Sequence, residues 1–499
     1  MDMGIFQTNR LRDGLVFVAA FLLVKWLVVG SKARRKSALP LPPSPPGLPL
    51  IGHLLMLRGD FRHVFRGLMD KYGNIFSIRV GPQTIMVMND IDAVKETFVN
   101  QSDAFSDRHM PPLLKYALGS AGSFAFDNGP VWKARRRFGL GAMRTFGVGK
   151  YSMEQRIIEE ANILCEVIEN NQETSFNPKG LITHSVSSII CGITFGQRFD
   201  LNDPEFKELI GRMHSALSSI TFFSLGQLFP FLLHTPLYSE FRQLVFRLKS
   251  LVTRMVREHE NSLDDQHIRD IIDLYVLEIR EQKKRRDDIV FDETRVWRGI
   301  FDLFAAGTGT TSTTLMWAIL LMASHPDTMK KVQAEIDSII GDHRSPSMAD
   351  REAMPLTMAT ILEIQRFRPV APLGFPRFTS RDTVVKGYSI PKGTAVLVNI
   401  WELMHSTEYW DQPDKFNPSR FLSEDGKSII KPDAFIPFGT GSRSCLGEIL
   451  AKMELFLAFT CLLQRFNFYL SEDSPTNTEP IPGIALIPPD FRIRAEKRL

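Results

Sequence analysis

One cysteine near the C-terminal end of the chain, Cys445, lies in a sequence that suits a metal ligand. The stretch 438–448 reads FGTGSRSCLGE and precedes an apolar pattern that is typical of a helix. The amides and dipole at a helix start favour a thiolate, and Arg443 adds positive charge two residues upstream. Such a site offers one thiolate to a metal whose other ligands are not protein, as in haem proteins with a proximal cysteine. Taken alone, a single cysteine is more often a buried structural thiol.

The whole stretch resembles the haem-ligand loop of the cytochrome P450 family, whose signature is Phe-x-x-Gly-x-Arg-x-Cys-x-Gly. It matches that signature at Phe438, Gly441, Arg443, Cys445 and Gly447. The resemblance implies haem b (iron protoporphyrin IX) as cofactor and the thiolate of Cys445 as its axial iron ligand. Phe438 and Arg443 are then expected to be cofactor-binding residues.

A second stretch that could do chemistry lies within a long apolar helical pattern over residues 296–322. A spacing of four residues places Asp302, Ala306 and Thr310 on one face of this helix. Gly307 and Gly309 weaken the helix and leave room for a small molecule against the backbone. An ordinary helix with small residues for close packing is the alternative explanation.

This stretch resembles the oxygen-binding helix of the same family, Ala-Gly-x-(Asp/Glu)-Thr, at Ala306, Gly307 and Thr310. The resemblance implies that Ala306 borders the cofactor and that Thr310 is a catalytic residue that hydrogen-bonds oxygen and organises water. Gly309 stands where the family has the acid that relays protons. The sequence therefore departs from the family pattern at the group that delivers protons.

Other positions match residues that hold the haem propionates in the family. Trp132 and Arg136 lie four residues apart on a helical pattern and fill the places of a propionate-binding pair, and Arg377 falls in the region of the second propionate. A basic run alone is usually a solvated surface. The neighbours of Arg136 are nevertheless expected to form a cationic face that docks an acidic reductase: Lys133, Arg135 and Arg137.

The resemblance also assigns structural and substrate-contacting positions. Glu363, Arg366 and Arg420 are expected to form one buried structural cluster, although Glu-x-x-Arg alone is only a common helical surface pair. The segments that line the family's pocket are mainly apolar here, and they contain the expected substrate contacts: Phe105, Met110, Phe124, Phe126, Asp302, Phe304, Phe375 and Ile484.

Composition limits the class of protein. The chain has 499 residues, of which 44% are hydrophobic, enough for a large core. A net charge of +4 is too small to indicate nucleic-acid binding. None of the four cysteines falls in a Cys-x-x-Cys pair, so neither a zinc site nor a disulfide framework is expected. Cys165, Cys191 and Cys461 lie in apolar helical patterns and are expected in the core.

The elements that must position these residues are mainly helical. We expect a mainly α protein with small β-sheets, the cytochrome P450 fold that the resemblance implies. Two hairpins are predicted, one within 75–88 and one that joins 384–390 to 394–400 across Pro391-Lys392-Gly393. One large haem-thiolate catalytic domain, 51–499, is expected behind an N-terminal membrane anchor, 1–31, and a basic, proline-rich linker, 32–50.

The N-terminal segment indicates the cellular location. Residues 15–29 are almost entirely apolar and are followed by a basic cluster, which by the positive-inside rule keeps the rest of the chain cytoplasmic. We expect an anchor in the endoplasmic reticulum membrane with the catalytic domain facing the cytosol. A cleaved signal peptide is the alternative. The apolar loop 221–233 is expected to dip into the membrane, with simple core packing as its alternative.

The expected activity is that of an animal-type microsomal monooxygenase. One atom of O2 enters a small lipophilic substrate, and NADPH-cytochrome P450 reductase supplies the electrons, with cytochrome b5 as a second candidate donor. Two alternatives stay open: a haem-thiolate isomerase or dehydratase, which needs no proton relay, and a haem-binding protein without turnover. Gly309 favours the isomerase, and Thr310 counts against it. The substrate stays open among steroids, fatty acids, terpenoids and xenobiotics.

Overall fold

The structure is a computed structural model of the chain. It describes residues 39–119, 122–170, 175–200, 203–204, 206–208, 210–211, 230–285, 290–292, 295–474 and 478–498. The predicted anchor, 1–31, and most of the apolar loop, 221–229, lie outside the described residues. Within the described ranges, no helix is both long enough and apolar enough to cross a membrane.

The chain forms two compact units. The first comprises residues 39–105 and 377–398, and the second comprises residues 106–376 and 399–498. Helices of the first unit are α1 (Phe61–Tyr72) and α2 (Ile91–Lys95), and α2 continues as a π-helical turn over Glu96–Asn100. Its strands are β1 (Ile75–Val80), β2 (Gln83–Met88), β3 (Arg377–Phe378), β4 (Thr383–Val385), β5 (Tyr388–Ile390) and β6 (Ala395–Val398).

The main sheet of the first unit has the strand order β1-β2-β6-β3. β1 and β2 form the predicted hairpin, with Val80 opposite Gln83, and Gly81 supplies the positive φ of its turn. β6 pairs with β2 in parallel, with Ile85 opposite Ala395. Every residue of β6 is buried, as expected for a strand with neighbours on both sides.

The second predicted hairpin is wrong in its pairing. β5 pairs with β4 around Lys386 and Gly387, which both have positive φ, and β6 pairs with β2 and β3. Pro391-Lys392-Gly393 therefore joins two strands that lie in different sheets. Local turn residues suit both pairings, whereas burying the apolar β6 in the main sheet requires a partner about 300 residues away.

The second unit is mostly helical. Its helices are α3 (Pro112–Leu118), α4 (Gly129–Thr145), α5 (Tyr151–Glu169), α6 (Lys179–Thr194), α7 (Ser239–Ser262), α8 (Ile271–Arg285), α9 (Val296–Ser324), α10 (Pro326–Ile339), α11 (Pro355–Phe367), α12 (Ile400–His405) and α13 (Glu448–Arg465). A small sheet pairs β7 (Phe466–Leu470) with β8 (Ile493–Lys497). A mainly α fold with small sheets, as predicted from the sequence, is confirmed.

Helix α9 is the central element of the second unit. It packs against α6, α7 and α13, and its C-terminal half is buried all round, which explains why its sequence is apolar on every face. Trp317 is fully buried in this half, and its indole N–H donates to the carbonyl of Leu486 at 3.0 Å. α9 is thereby a fixed support for the residues that it carries.

Candidate active site

Cys445 lies in the turn that leads into α13. Gly439 and Gly441 have φ of +69° and +72°, conformations that favour glycine, and Gly441–Arg443 forms a short 3-10 helix. The amide of Cys445 donates to the carbonyl of Phe438 at 2.9 Å. The Cys445 side chain is exposed, whereas the other three cysteines of the chain are buried. The loop therefore presents one accessible thiol.

The middle of α9 has an accessible face within a largely buried helix. Ala306 and Thr310 are both exposed, and their spacing of four residues places them side by side. The Thr310 hydroxyl donates to the carbonyl of Ala306 at 2.8 Å. Gly307 serves a different purpose, because a Cβ there would lie 2.5 Å from Cδ1 of Ile190 on α6. Gly307 therefore lets α9 pack closely against α6, while Ala306 and Thr310 lie on the accessible face of the helix.

Arg443, two residues before the cysteine, is buried among oxygen acceptors. Its guanidinium donates to the carbonyls of Ser106 and Asp127 at 2.8 and 2.6 Å and to Oδ1 of Asn128 at 3.1 Å. It also lies 3.7 Å from the ring centroid of Trp132. These acceptors are neutral, and no carboxylate of the described residues forms a salt bridge with Arg443. The Arg443 charge is held in place without being neutralised.

Two further guanidinium groups join Arg443 in what we call the cationic cluster: Arg108 and Arg136. Arg108 shares an acceptor with Arg443, since both donate to the carbonyl of Ala125, at 3.2 and 3.3 Å. Arg136 donates to Oγ of Ser444 at 3.3 Å. Within the described part of the chain, the buried Nε of Arg108 has no hydrogen-bond partner. The cluster therefore retains donor capacity and positive charge.

Electrostatics reflect this excess of positive charge. Burial, followed by repulsion from Arg136, lowers the pKa of Arg108 to about 10. Burial, followed by repulsion from Arg108, lowers the pKa of Arg443 to about 9. Burial raises the pKa of the Cys445 thiol, while the Gly447 amide and then the Arg136 and Arg108 charges act in the opposite direction. An anion bound here would relieve the repulsion between the guanidinium groups.

Comparison with known families decides what this arrangement is. The cytochrome P450 family model matches residues 42–495, and therefore covers both compact units. The chain belongs to the cytochrome P450 family.

Curated members of the family resemble this P450 over almost its full length. It is 40% identical to cytochrome P450 2U1 of Mus musculus over 97% of this chain and 94% of that protein. It is 40% identical to cytochrome P450 2B2 of Rattus norvegicus over 95% of this chain and 97% of that protein. It is 38% identical to cytochrome P450 2D15 of Canis lupus familiaris over 99% of this chain and 100% of that protein. This P450 is a haem-thiolate monooxygenase that uses electrons from NADPH through a reductase.

The site residues fit haem, the family's cofactor. Haem in this family takes a thiolate ligand, and its ring and two propionates suit an apolar or small-residue border and nearby cations. The structure offers an accessible thiol at Cys445, an open face at Ala306 and Thr310, and the cationic cluster with an orphaned donor on Arg108. A buried cationic cluster without paired carboxylates is costly unless an anion joins it.

Asp302 is predicted on the pocket face of α9, but its carboxylate is bound by other residues of the protein. Its carboxylate forms a salt bridge with Arg298 at 2.9 Å and accepts a hydrogen bond from Oγ of Ser123 at 2.6 Å. The side chain is 11% exposed. This placement favours a structural role over contact with substrate, and over relay of protons to Thr310.

Arg135, predicted on the cationic docking face, is instead in the interior. It is fully buried, pairs with Asp127 at 2.8 Å and donates to the Tyr275 hydroxyl at 3.0 Å. Its neighbours Lys133 and Arg137 are exposed on α4. Lys133 and Arg137 are one helical turn apart, and Arg135, midway between them, points to the opposite side of α4. The three side chains therefore cannot form one surface.

The predicted pocket residues are not all brought together. Phe124 is in the core, where its ring lies against Gly139 of α4 and Gly299 of α9, and this position does not favour contact with substrate. Phe304 is likewise buried, against Phe195 and other aromatic rings. By contrast, Phe375 is exposed, and its ring centroid lies 6.0 Å from that of Phe126. Ile484 packs against a small separate cluster that contains Leu113 and Leu233, and Met110 is half-buried.

Two predicted residues lie in the first unit. Phe105 is fully buried there. Arg377 is buried with its guanidinium 3.6 Å from the ring centroid of Phe98. Their roles toward substrate and propionate stay predictions.

Glu363, Arg366 and Arg420 form one buried cluster. Glu363 accepts from Arg366 at 2.7 and 2.9 Å and from Arg420 at 3.1 Å. Arg366 also donates to the carbonyls of Met404 and Pro413. The ion pair is thus completed by backbone acceptors.

Sequence reasoning missed three residues that shape the site: Arg108, Ser123 and Asn128. Asn128 bonds Arg443 and also accepts from the Arg108 amide at 2.7 Å. Arg108 carried no clear signal in the sequence, since it stands between Asp107 and His109. Ser123 had none, because its partner lies 179 residues away.

Proposed function

We propose that Cys445 is the axial thiolate ligand of haem in this monooxygenase and that Thr310 is the catalytic residue of α9. The observation that carries the assignment is that Cys445 is the one exposed cysteine of the chain and lies beside the cationic cluster. Bound haem supplies the oxygen chemistry, in which one atom of O2 enters a lipophilic substrate and the other becomes water. The thiolate of Cys445 would raise electron density at the iron.

Several side chains would hold the cofactor. Arg108, Arg136 and Arg443 would donate to the propionates, and Trp132 would keep Arg443 in place through its ring. Ala306 and Phe438 would border the porphyrin, because a small side chain at 306 leaves the α9 face open. Arg377 is proposed to serve the second propionate, as the family resemblance implies.

The carbon monoxide spectrum of the reduced protein tests the ligand assignment. We expect the red-shifted Soret band of a thiolate complex in the wild type and its loss in Cys445→Ala. Cys191→Ala and Cys461→Ala are matched controls, because both cysteines are buried and both variants should keep the band. An unchanged spectrum in Cys445→Ala would refute the assignment.

Proton delivery in this P450 rests on Thr310 and water. Gly309 supplies no carboxylate, and the carboxylate of Asp302 is engaged by Arg298 and Ser123. The Thr310 hydroxyl, which donates to the Ala306 carbonyl, would hold an ordered water at Oγ1 and pass protons through it. A hydroxyl on the substrate itself is a second source of protons.

A positively charged surface supports docking of the acidic NADPH-cytochrome P450 reductase near Cys445. Burial, followed by repulsion from Lys452 and Arg351, lowers the pKa of Lys431. Lys452 lies 5.4 Å from the ring of Phe438 in the cysteine loop. Lys133 and Arg137 add exposed charge on α4. Cytochrome b5 is proposed as a second donor at the same surface.

We propose that the protein is held at the endoplasmic reticulum membrane with its catalytic part facing the cytosol. Large apolar side chains are exposed along the described segment that follows the predicted anchor: Leu39, Leu41, Leu48, Leu50, Leu55 and Met56. Phe231, at the end of the predicted apolar loop, is also exposed. Exposed apolar side chains in each of these two segments suit contact with lipid.

A further inference from the structure

One short segment, residues 122–128, contacts both α9 and the cysteine loop. We call it the bridging turn. Its Ser123 is fully buried, and the Oγ of Ser123 donates to Oδ2 of Asp302 at 2.6 Å. The same Oγ accepts the amides of Ala125 and Phe126 at 3.2 and 3.0 Å. One hydroxyl therefore both caps the turn and joins it to α9.

The other end of the turn supplies acceptors to the cationic cluster. The carbonyl of Ala125 accepts from Arg108 and Arg443. The carbonyl of Asp127 and Oδ1 of Asn128 accept from Arg443 at 2.6 and 3.1 Å. Three oxygen atoms within four residues therefore fix two of the three guanidinium groups.

Asp302 anchors the turn firmly because its own position is fixed. It is bound by Arg298, which is 1% exposed and lies one helical turn earlier on α9. A buried ion pair tolerates little movement, since a displaced partner would leave an unpaired charge in the interior. On the opposite flank of the turn, Arg135 pairs with Asp127 at 2.8 Å. The bridging turn is thus bound from α9, from α4 and from the cysteine loop.

We propose that Ser123 is a positioning residue, which fixes the bridging turn to Asp302 and so sets the carbonyls that hold Arg108 and Arg443 beside Cys445. The consequence for the cofactor rests on the proposed function of these two arginines as propionate ligands. The consequence for the turn itself does not. Ser123 acts on the cofactor only through the arginines, and it provides a physical link between α9 and the cysteine loop.

Hydrogen exchange of the haem-loaded protein tests the link directly. In Ser123→Ala the amide of Phe126 loses its acceptor, whereas the amide of Ala125 keeps a longer hydrogen bond to Oδ2 of Asp302, at 3.4 Å. Loss of these hydrogen bonds should raise exchange about tenfold, most at Phe126. Ser187→Ala is the matched control, because Ser187 is also fully buried and donates to a backbone carbonyl at 2.8 Å. We expect no change of exchange in residues 122–128 in Ser187→Ala. Equal exchange of this segment in both variants would overturn the proposal.

The effect on the cofactor is measured as the rate of haem transfer to excess apomyoglobin. Ser123→Ala should release haem about tenfold faster than wild type, and Ser123→Thr, which keeps the hydroxyl, should restore slow release. Ser187→Ala should release haem at the wild-type rate. Fast release in Ser187→Ala as well would show general destabilisation and would overturn the specific role of Ser123.

A double-mutant cycle keeps the test decisive if Ser123→Thr does not fold. Ser123→Ala removes the donor of the contact and Asp302→Asn removes the charge of its acceptor, so both weaken the same contact. Their effects on the unfolding midpoint should be non-additive, whereas those of Ser187→Ala and Asp302→Asn should add. Additive effects of Ser123→Ala and Asp302→Asn would contradict the link.

If Cys445→Ala lost the thiolate spectrum while Ser123→Ala behaved as wild type, this inference would fail and the proposed function would stand. Conversely, a retained thiolate spectrum in Cys445→Ala would refute the proposed function, and the exchange data would still decide the link.

Discussion

The second unit contains two arginine clusters that differ in how their charge is balanced. In the first, Glu363 lies between Arg366 and Arg420 at 2.7 and 3.1 Å, and both arginines also donate to backbone carbonyls. Carboxylate and guanidinium groups are in contact, and the cluster needs nothing from outside. We call it the closed cluster.

The cationic cluster of Arg108, Arg136 and Arg443 is open by comparison. Its guanidinium groups bond neutral oxygens, repel one another and lie beside an exposed cysteine. Burying a charge without a partner is unfavourable, so a protein retains such a group where a ligand completes it. The comparison teaches that buried arginines paired with carboxylates indicate structure, whereas arginines in the interior that bond only neutral oxygens indicate an anion site.

The largest effect should follow from breaking the closed cluster. Glu363→Gln removes the carboxylate and leaves two arginines unpaired, of which Arg366 is completely buried. Loss of one partner of a buried pair costs about 3–5 kcal/mol. We expect a large fall in the midpoint of thermal unfolding and little folded haem protein on expression.

The matched control for this variant is Glu281→Gln. Glu281 pairs with Lys284 at 2.7 Å on the exposed face of α8, and solvent screens such a pair. Its midpoint should stay close to that of wild type. If both variants unfolded at similar temperatures, the closed cluster would not be a source of stability.

These clusters also show how far sequence reasoning reached. The sequence predicts Glu363, Arg366 and Arg420 as one cluster and Cys445 and Thr310 as site residues, because each of them lies in a short motif that resembles one of the family. The interior position of Arg135 and the pairing of β6 with β2 were missed. The pairing of β6 with β2 joins segments about 300 residues apart, and local patterns carry no information about it. Helical periodicity does separate Arg135 from Lys133 and Arg137, but it does not tell which side of α4 faces the interior.

The link between Asp302 and Ser123 was missed for the same reason. A carboxylate on an amphipathic stripe is compatible with contact to substrate, water or a distant loop, and α9 alone does not distinguish these partners. The structure selects the loop. The spacing of four residues predicts that Asp302 lies on the same face of α9 as Thr310. It does not predict which group the Asp302 carboxylate binds.

A smaller, opposite effect is expected in the open cluster. Arg108→Gln removes one of three mutually repelling charges, so apoprotein stability should be unchanged or slightly higher. Haem retention should fall by about 10–100-fold, since hydrogen bonds to charged groups contribute about 1.5–3 kcal/mol. Unfolding of the apoprotein and haem transfer to apomyoglobin measure the two quantities separately.

Arg156→Gln, at an exposed position on α5, is the control and should change neither quantity. A loss of apoprotein stability in Arg108→Gln, as in Glu363→Gln, would show that Arg108 belongs to a structural network. The distinction between closed and open clusters would then fail.

The smallest effect concerns the carboxylate that the open site lacks. Gly309 lies next to Thr310 on α9, so Gly309→Asp restores an acid at the family's relay position and also favours the helix, because Asp is a better helix former than Gly. Acid–base groups contribute about 10²–10⁴-fold to proton transfer, yet coupling cannot exceed one product per NADPH. We therefore expect a gain of a factor of a few in product per NADPH, with less hydrogen peroxide, on lipophilic substrates that carry no hydroxyl.

Gly309→Asn has nearly the same shape without an acid and should give no gain, while Thr310→Ala should lower coupling. Tight coupling of the wild type on such substrates, unchanged by Gly309→Asp, would show that water at Thr310 already delivers protons efficiently and that the missing acid has no cost.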